Sequence, residues 1–372
     1  MKKKLLMAAV GAALVAGPML AAQAAPTLYG SFHMSLDSLD NGDSTPIAGV
    51  GNKRGFLSSN STRFGVKGDE DLGGGLKTIY QIESGALAAD TGSGGMGGTL
   101  RNTYIGFAGS MGTVKFGRND TPFKDLGRKL DNFNEQVGDA RNIIGSGGAN
   151  AWANWDARVS NMVRYESPNF SGAQVNVLYG TAEGGTPSGA GTAATSINPD
   201  PTAGTVGDVV SMNLLYSSGP MFVGLAYEKH GTTTNKQETG MRLAGSYDID
   251  ALTIGLFYES LSDLEGTASS DGKTMGLMAA YKMGNNKIKF HTYKADELKN
   301  APNTGGALMA IGVDHSFSKT ASMYVNYATA DNDTNASFVN VASNNGGHGN
   351  GVPLGAADKD PKGYSVGMIV KF

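Results

Sequence analysis

The chain has 372 residues, 55 of them glycine, no cysteine, and a formal charge of −3 from 30 basic and 33 acidic side chains. That balance argues against nucleic-acid binding, which favours a basic surface, and the missing cysteine rules out a disulfide framework. Glycine at this level can mark disorder, but here the apolar residues fall in ordered blocks.

Residues 1–24, MKKKLLMAAVGAALVAGPMLAAQA, run from three lysines through an apolar stretch to a small-x-small site at Ala22-Gln23-Ala24. This is the layout of a secretory signal peptide. Gly17-Pro18 interrupts the run, which is shorter than the roughly 20 apolar residues of a membrane span. Removing it takes away Lys2, Lys3 and Lys4 and leaves 27 basic against 33 acidic residues, net −6. The expected organisation is a signal peptide over 1–24 and one unit over 25–372. No later stretch approaches a transmembrane helix. An exported chain of this kind is soluble or a β-barrel, because only helices and closed barrels satisfy every backbone group in lipid.

Period-two alternation begins at LYGSFHMSLDS, where Leu28, Phe32, Met34 and Leu36 share one face and Tyr29, Ser31, His33 and Ser35 the other. LKTIYQIES sets Leu76, Thr78, Tyr80 and Ile82 against Lys77, Gln81 and Glu83. RVSNMVRYES sets Val159, Val163 and Tyr165 against Arg158, Ser160 and Arg164. TIGLFYES, KTMGLMAAYKM, NKIKFHTYK, ALMAIGVDHSF and ASMYVNYATA continue the pattern. Each block has about ten residues, the length of a tilted membrane strand.

The links alternate in length. Short ones cover 71–75, 109–112, 167–172, 217–220, 248–251, 283–286 and 318–320, all rich in turn-forming residues. Long ones cover about 38–57, 86–98, 119–156, 181–207, 230–238, 261–272, 296–305 and 331–361. Together they join sixteen antiparallel strands, with short turns on one rim and long loops on the other, as in an outer-membrane barrel. A soluble β-sandwich also alternates, but does not require such uniform strands. Link 181–207 is low-complexity and polar, and is expected to be an exposed loop.

The final segment, GYSVGMIVKF, puts Tyr364, Val366, Met368, Val370 and Phe372 on one stripe that ends with the chain. A last strand that pairs with the first leaves no edge, and the stripe then faces lipid.

LYGSF, STRFGVKGDEDLGGGLKTIYQIES, LRNTYIGFAGSMGTVKFGRNDTPFKD, NMVRYESPNFSGAQVNVLYG and the terminal aromatic resemble the general, non-specific porins of Gram-negative bacteria, of the OmpC/OmpF-like and Neisseria-type trimeric kinds. The resemblance implies a 16-stranded transmembrane barrel with short periplasmic turns and long external loops. It also implies a homotrimer among outer-membrane lipid and lipopolysaccharide, and passive diffusion of small hydrophilic solutes and ions. Phe372 would then be the signal read by the outer-membrane assembly machinery.

By the same resemblance the third external loop, 119–156, folds into the barrel and narrows it. It carries Asp125, Asp131, Glu135 and Asp139. The last three are spaced by four, so a helical turn would align them on one face. Arg63, opposed in phase to Phe64 and Val66, matches the family's arginine ladder on the facing wall, as do Arg101 and Arg158. Lys67, Lys77 and Arg164 share the inward phase. Two departures stand out. NEQVGD replaces the family's Pro-Glu-Phe-Gly-Gly turn, keeping only Glu135 and Gly138, and Ser31 stands where many relatives have a lysine. With net −6, the lean expected is weakly cation-selective.

The five histidines, His33, His230, His291, His315 and His348, form no recognisable hydrolase motif and no pair at metal-ligand spacing. No enzyme, cofactor or metal is expected. The alternatives are a substrate-selective channel, whose lumen would show an aromatic slide or one charge sign, and a non-conducting adhesin barrel, which would be plugged.

Overall fold

A computed structural model describes residues 25–43, 53–85, 100–145, 154–180, 209–231, 237–264, 270–338 and 357–372. The expected signal peptide and the polar link 181–207 lie outside them.

The described strands are β1 Thr27–Asp40, β2 Lys53–Ser59, β3 Arg63–Gly73, β4 Leu76–Ser84, β5 Thr103–Gly109, β6 Gly112–Asp120, β7 Arg158–Glu166, β8 Ala173–Gly180 and β9 Val209–Ser218. They continue with β10 Met221–Gly231, β11 Gln237–Ile249, β12 Leu252–Ser262, β13 Gly272–Met283, β14 Asn286–Ala295, β15 Gly306–Ser316, β16 Ala321–Asn332 and β17 Lys362–Lys371. Each pairs antiparallel with its neighbours, and β17 returns to pair with β1. β2 and β3 are two halves of one stave. Both pair with β1, but the register changes between Met34↔Ser59 and Ser31↔Arg63. The break falls at Asn60–Thr62, where Ser61 adopts φ +46°. The result is a closed barrel of sixteen staves, as expected from the alternation of links.

Turn chemistry accounts for the short rim. Gly73, Gly74 and Gly75 have φ of +84°, +63° and +79°, a run of left-handed backbone that other residues would strain to adopt. At the closure, Gly30 N donates to Phe372 O at 2.8 Å and Phe372 N to Gly30 O at 3.2 Å. The Phe372 ring lies over Gly30 so closely that a Cβ there would meet it. The final residue thus completes the wall.

The two faces separate by polarity. On β1, Leu28, Phe32 and Leu36 point outward and exposed, while Ser31, His33, Ser35 and Asp37 are buried inside. Outward Leu, Ile, Val, Met and Phe recur around the wall. In water such a surface would drive association; against hydrocarbon it is matched to its solvent. On β7 the expected common face of Val159, Val163 and Tyr165 is broken. Asn161 has φ +53° and the β6–β7 register shifts between Gly117 and Asn119. The bulge turns Val159 to pack with Met162 and Leu178, leaving Val163 and Tyr165 outside.

The interior is not uniformly polar. Phe123, Leu126, Leu130, Ile143, Ile144 and Trp155 of the third loop pack on Phe222, Phe257, Met278 and Tyr293 of the wall. Phe133 and Val137 pack on Leu39, Ala310 and Ala328. Each large side chain buried this way contributes about 1.5–3 kcal/mol to loop docking. The loop therefore lies against the inner surface of β9–β16 and reaches Leu39 of β1.

Candidate pore constriction

The loop enters as a short helix, α1 Pro122–Lys129. Thr121 caps it, its Oγ1 accepting from Lys124 N at 3.2 Å. Pro122 takes the first helical position, where no N–H is needed. Anchors from the wall hold the backbone: Ser211 Oγ accepts from Phe123 N, and Asn213 Nδ2 donates to Pro122 O. Arg242 is the strongest. It donates to Glu259 at 2.7 Å, Asp156 at 3.0 Å and Phe123 O at 3.0 Å, and lies 4.0 Å from the centre of the Phe123 ring.

Beyond α1 the chain does not form the helical turn that the spacing of Asp131, Glu135 and Asp139 suggested. Glu135 has φ +64° and Gly138 φ +92°. A side chain at Gly138 would collide with Ala310, so the backbone approaches the wall where only glycine fits. Two of the three acids turn inward to hold the loop. Asp131 accepts from Phe133 N at 2.8 Å and Ala140 N at 3.2 Å. Asp139 accepts from Glu135 N and Arg141 N and pairs with the Arg141 guanidinium at 2.6 Å. Lys289 and Asn326 donate to Gln136, Asn132 donates to Ala279 O, and a His291 ring nitrogen lies 2.8 Å from Gly138 O. Burial, then the neighbouring Asp139 charge, pushes the Asp131 carboxyl well above its usual range.

Glu135 is the acid that reaches across. Its carboxylate accepts from Arg63 Nη1 at 2.8 and 2.9 Å. Burial would raise its pKa, but Arg63, Arg101 and Arg128 outweigh that and hold it below the ordinary value. Asp125 meets Arg164 at 2.7 Å, and Arg164 also meets Glu166 at 2.9 Å. On the wall Arg101 pairs with Glu83 at 2.6 Å and Arg158 with Asp120 at 3.0 Å. Asp120 also receives Lys124 at 3.0 Å and Arg128 at 3.9 Å. Burial foremost, with Arg128 adding repulsion against the pull of Asp120, lowers the Lys124 pKa to about 7.

The geometry thus brings Arg63, Arg101, Arg158 and Arg164 together with Asp125 and Glu135. Lys77 falls elsewhere. It is exposed, pairs with Asp69 at 2.9 Å and sits one residue from the start of β4, beside the Gly73–Gly75 turn. Its phase is inward but its height is wrong. Lys67 lies 5.2 Å from the centre of the Tyr29 ring, exposed and apart from the loop acids. Several members were not foreseen: Glu83, Lys115, Arg118, Asp120, Lys124, Arg128 and Glu166. Lys115 pairs with Glu166 at 2.7 Å, and Arg118 donates to Ser160 Oγ and Leu100 O. Among the described residues, this sector gathers eight cationic side chains (Arg63, Arg101, Lys115, Arg118, Lys124, Arg128, Arg158 and Arg164) against five carboxylates (Glu83, Asp120, Asp125, Glu135 and Glu166).

One sequence coincidence is settled by context. Gly363-Tyr364-Ser365-Val366-Gly367 spells the hydrolase nucleophile elbow, which requires a sharp strand-to-helix turn. Here it runs straight along β17, and Ser365 Oγ donates to Asp37 rather than to a base.

A closed wall with an apolar exterior, and a loop folded inside it whose charged edge faces basic staves, defines a transmembrane β-barrel channel. Residues 7–335 match the family model of the Gram-negative porins, and the chain belongs to that family. It is 28% identical over 285 residues to an outer membrane porin protein of Bordetella pertussis, covering 71% of this chain and 70% of that protein. It is 26% identical over 351 residues to the major outer membrane protein P.IB of Neisseria gonorrhoeae, covering 87% and 92%. Among solved structures, the anion-selective porin from Comamonas acidovorans superposes with a TM-score of 0.73 at 20% identity, covering 94% and 99%. The protein is an outer-membrane porin, a channel and not an enzyme.

Proposed function

We propose that the channel passes small hydrophilic solutes and ions by passive diffusion, and that the sector of β3–β7 facing the loop edge sets their selection. The observation that carries this is the meeting of Arg63 and Glu135, a wall cation and a loop acid, at 2.8 Å. Arginine suits the wall because it keeps its charge beside other cations. The Arg63–Glu135 contact marks where loop edge and wall meet; the unpaired potential of the charges around it, along the passage beside that contact, creates the field that favours polar solutes. Apolar solutes would displace water from those charges, at a cost.

Two charge balances point in opposite directions. The whole chain without residues 1–24 is net −6, which favours weak cation selectivity. The sector around the loop has eight cations and five carboxylates, and still nine against eight when Arg141, Asp131, Asp139 and Asp156 of the loop are added, a small lean toward anions. The local balance governs, because charges farther away than about 10 Å are screened at 0.1 M salt. We therefore assign a modest anion preference to the constriction. Reversal potentials in a salt gradient test it, and a cation-side value would restore the whole-chain reading.

A homotrimer is the assembly proposed, in keeping with a trimer form among the structural neighbours, OmpT of Vibrio cholerae, which has a TM-score of 0.62. Lipopolysaccharide contact at the outer rim and recognition of Phe372 by the assembly machinery belong to the same proposal. Chemical cross-linking of the purified protein tests the trimer.

A further inference from the structure

Near the loop end of β10 and β11 lies a group that ion selection does not use. Glu228 and His230 of β10 and Glu238 of β11 are 0%, 1% and 2% exposed. The two nitrogens of His230 face different carboxylates: Nδ1 is 3.6 Å from Glu228 and Nε2 is 3.4 Å from Glu238. Among the described residues, both oxygens of Glu228, one of Glu238 and both ring nitrogens of His230 make no hydrogen bond, so the three groups face one another at ion-pair distance. The imidazole face packs on Trp155, ring centres 4.3 Å apart. Trp155 belongs to the return leg of the constriction loop, Asn154–Asp156. The other face of this contact is equally close: a Cβ at Gly240 would lie 2.5 Å from the Trp155 ring. Outward residues of β10 run Val223, Leu225, Tyr227 and Lys229, so the cluster sits above the apolar band.

We propose that Glu228, His230 and Glu238 form a proton-operated latch that holds the return leg of the constriction loop through Trp155. A neutral imidazole has one N–H and satisfies one carboxylate; an imidazolium has two and satisfies both. Leaving a buried carboxylate without a donor is costly. The latched arrangement therefore holds one proton more than the released one. Among the described residues, the groups that face His230 are Glu228 from β10, Glu238 from β11 and Trp155 from the loop. Among the described residues, the adjacent β9 places Val209 and Ser211 beside it. Asp156 beside Trp155 is already paired with Arg242. By linkage, raising the pH removes the extra proton and favours release. One proton corresponds to about a tenfold change in the latched-to-released ratio per pH unit once deprotonation begins. Lys124 acts with the opposite sign: the cost of burying its charge disappears as pH rises above about 7, which favours docking.

This goes beyond ion selection and depends on the constriction reading only for its effect on current. The test therefore reads Trp155 directly. Trp152 is the other tryptophan of the chain, so Trp152→Phe leaves Trp155 as the sole tryptophan, read by exciting at the red edge where the 14 tyrosines do not absorb. A protonated imidazole in contact with an indole quenches its emission. In the full-length, refolded protein, fluorescence should rise through a single-proton transition as pH is raised above neutral. His230→Gln should abolish that transition. Glu238→Gln, which removes one of the two stabilising carboxylates, should move it to lower pH. Far-ultraviolet circular dichroism and heat-modifiable gel mobility establish that each variant is folded. If His230→Gln fails to fold, the Glu238→Gln shift alone decides. A transition that is absent in the parent, persists in His230→Gln or is unmoved by Glu238→Gln overturns the latch, whatever the channel conducts.

Discussion

Arg63 and Glu135, 72 positions apart in sequence, share a two-oxygen contact at 2.8 and 2.9 Å between the barrel wall and its inserted loop. It is the direct link between the first basic position on β3 and the acidic edge of the loop. Glu135→Gln leaves Arg63 without its counter-charge and should move the reversal potential toward anions. Arg63→Gln should move it toward cations. Because the groups touch, the double variant should not show the sum of the two shifts; coupling of about 0.5–3 kcal/mol is typical for residues in contact. Bilayer recordings of the three variants check this.

Arg242 fixes the loop from the opposite side. It is fully buried and serves Glu259, Asp156 and Phe123 O together. Arg242→Met takes the cation from two buried carboxylates, leaving Glu259 with Gly145 N and Asp156 with Arg141 at 3.7 Å, and breaking such a set costs about 3–5 kcal/mol. The barrel should persist while the loop loosens, seen as noisier open-channel current and as new protease cleavage within 119–156. Arg242→Lys should rescue only part of this, because an ammonium lacks the planar fork that reaches three acceptors.

Closure at Gly30 gives a third expectation. A Cβ at this position would collide with the Phe372 ring. Gly30→Val should displace the terminal ring, weaken the β1–β17 seam and lower the urea midpoint of the folded barrel. Phe372→Ala in the same background should recover only part of the loss, since it removes the ring contact and leaves the one with Arg63 O at 2.7 Å. Urea titration followed by gel mobility measures both.

The pH dependence of selectivity follows from Lys124. Burial lowers its pKa to about 7, so it gains positive charge as pH falls through that value. A lowered lysine pKa means that the undocked loop binds more protons between about 7 and the ordinary lysine value of 10.5. Docking therefore strengthens as pH rises across that window and is weakest below it. The anion preference should be greater at pH 6 than at pH 8.5, and Lys124→Met should flatten the difference. Glu135 adds no change in this range, because its pKa lies below the ordinary 4.5. Its charge is lost only on stronger acidification.

Much of the barrel was legible because lipid and water impose a strict period of two, and because glycine, asparagine and proline mark the tight turns. The breaks in that period were not. Ser61 and Asn161 adopt left-handed backbone at β-bulges, and nothing in their neighbours announces it. At the constriction, phase was readable but height was not, which is why Lys77 shared the pattern of Arg63 yet stands beside a turn. The spacing of Asp131, Glu135 and Asp139 suggested a helix, but the close approach of Gly138 to Ala310 requires another path. Inward apolar residues such as Phe257 and Tyr293, out of place in a water-filled lumen, were the available sign of where the loop docks.

The most direct measurement is the zero-current potential of single channels in a planar bilayer under a potassium chloride gradient at neutral pH. A potential displaced to the anion side, and displaced further by Glu135→Gln, is the predicted result. A potential on the cation side, unchanged by Glu135→Gln, would contradict the account.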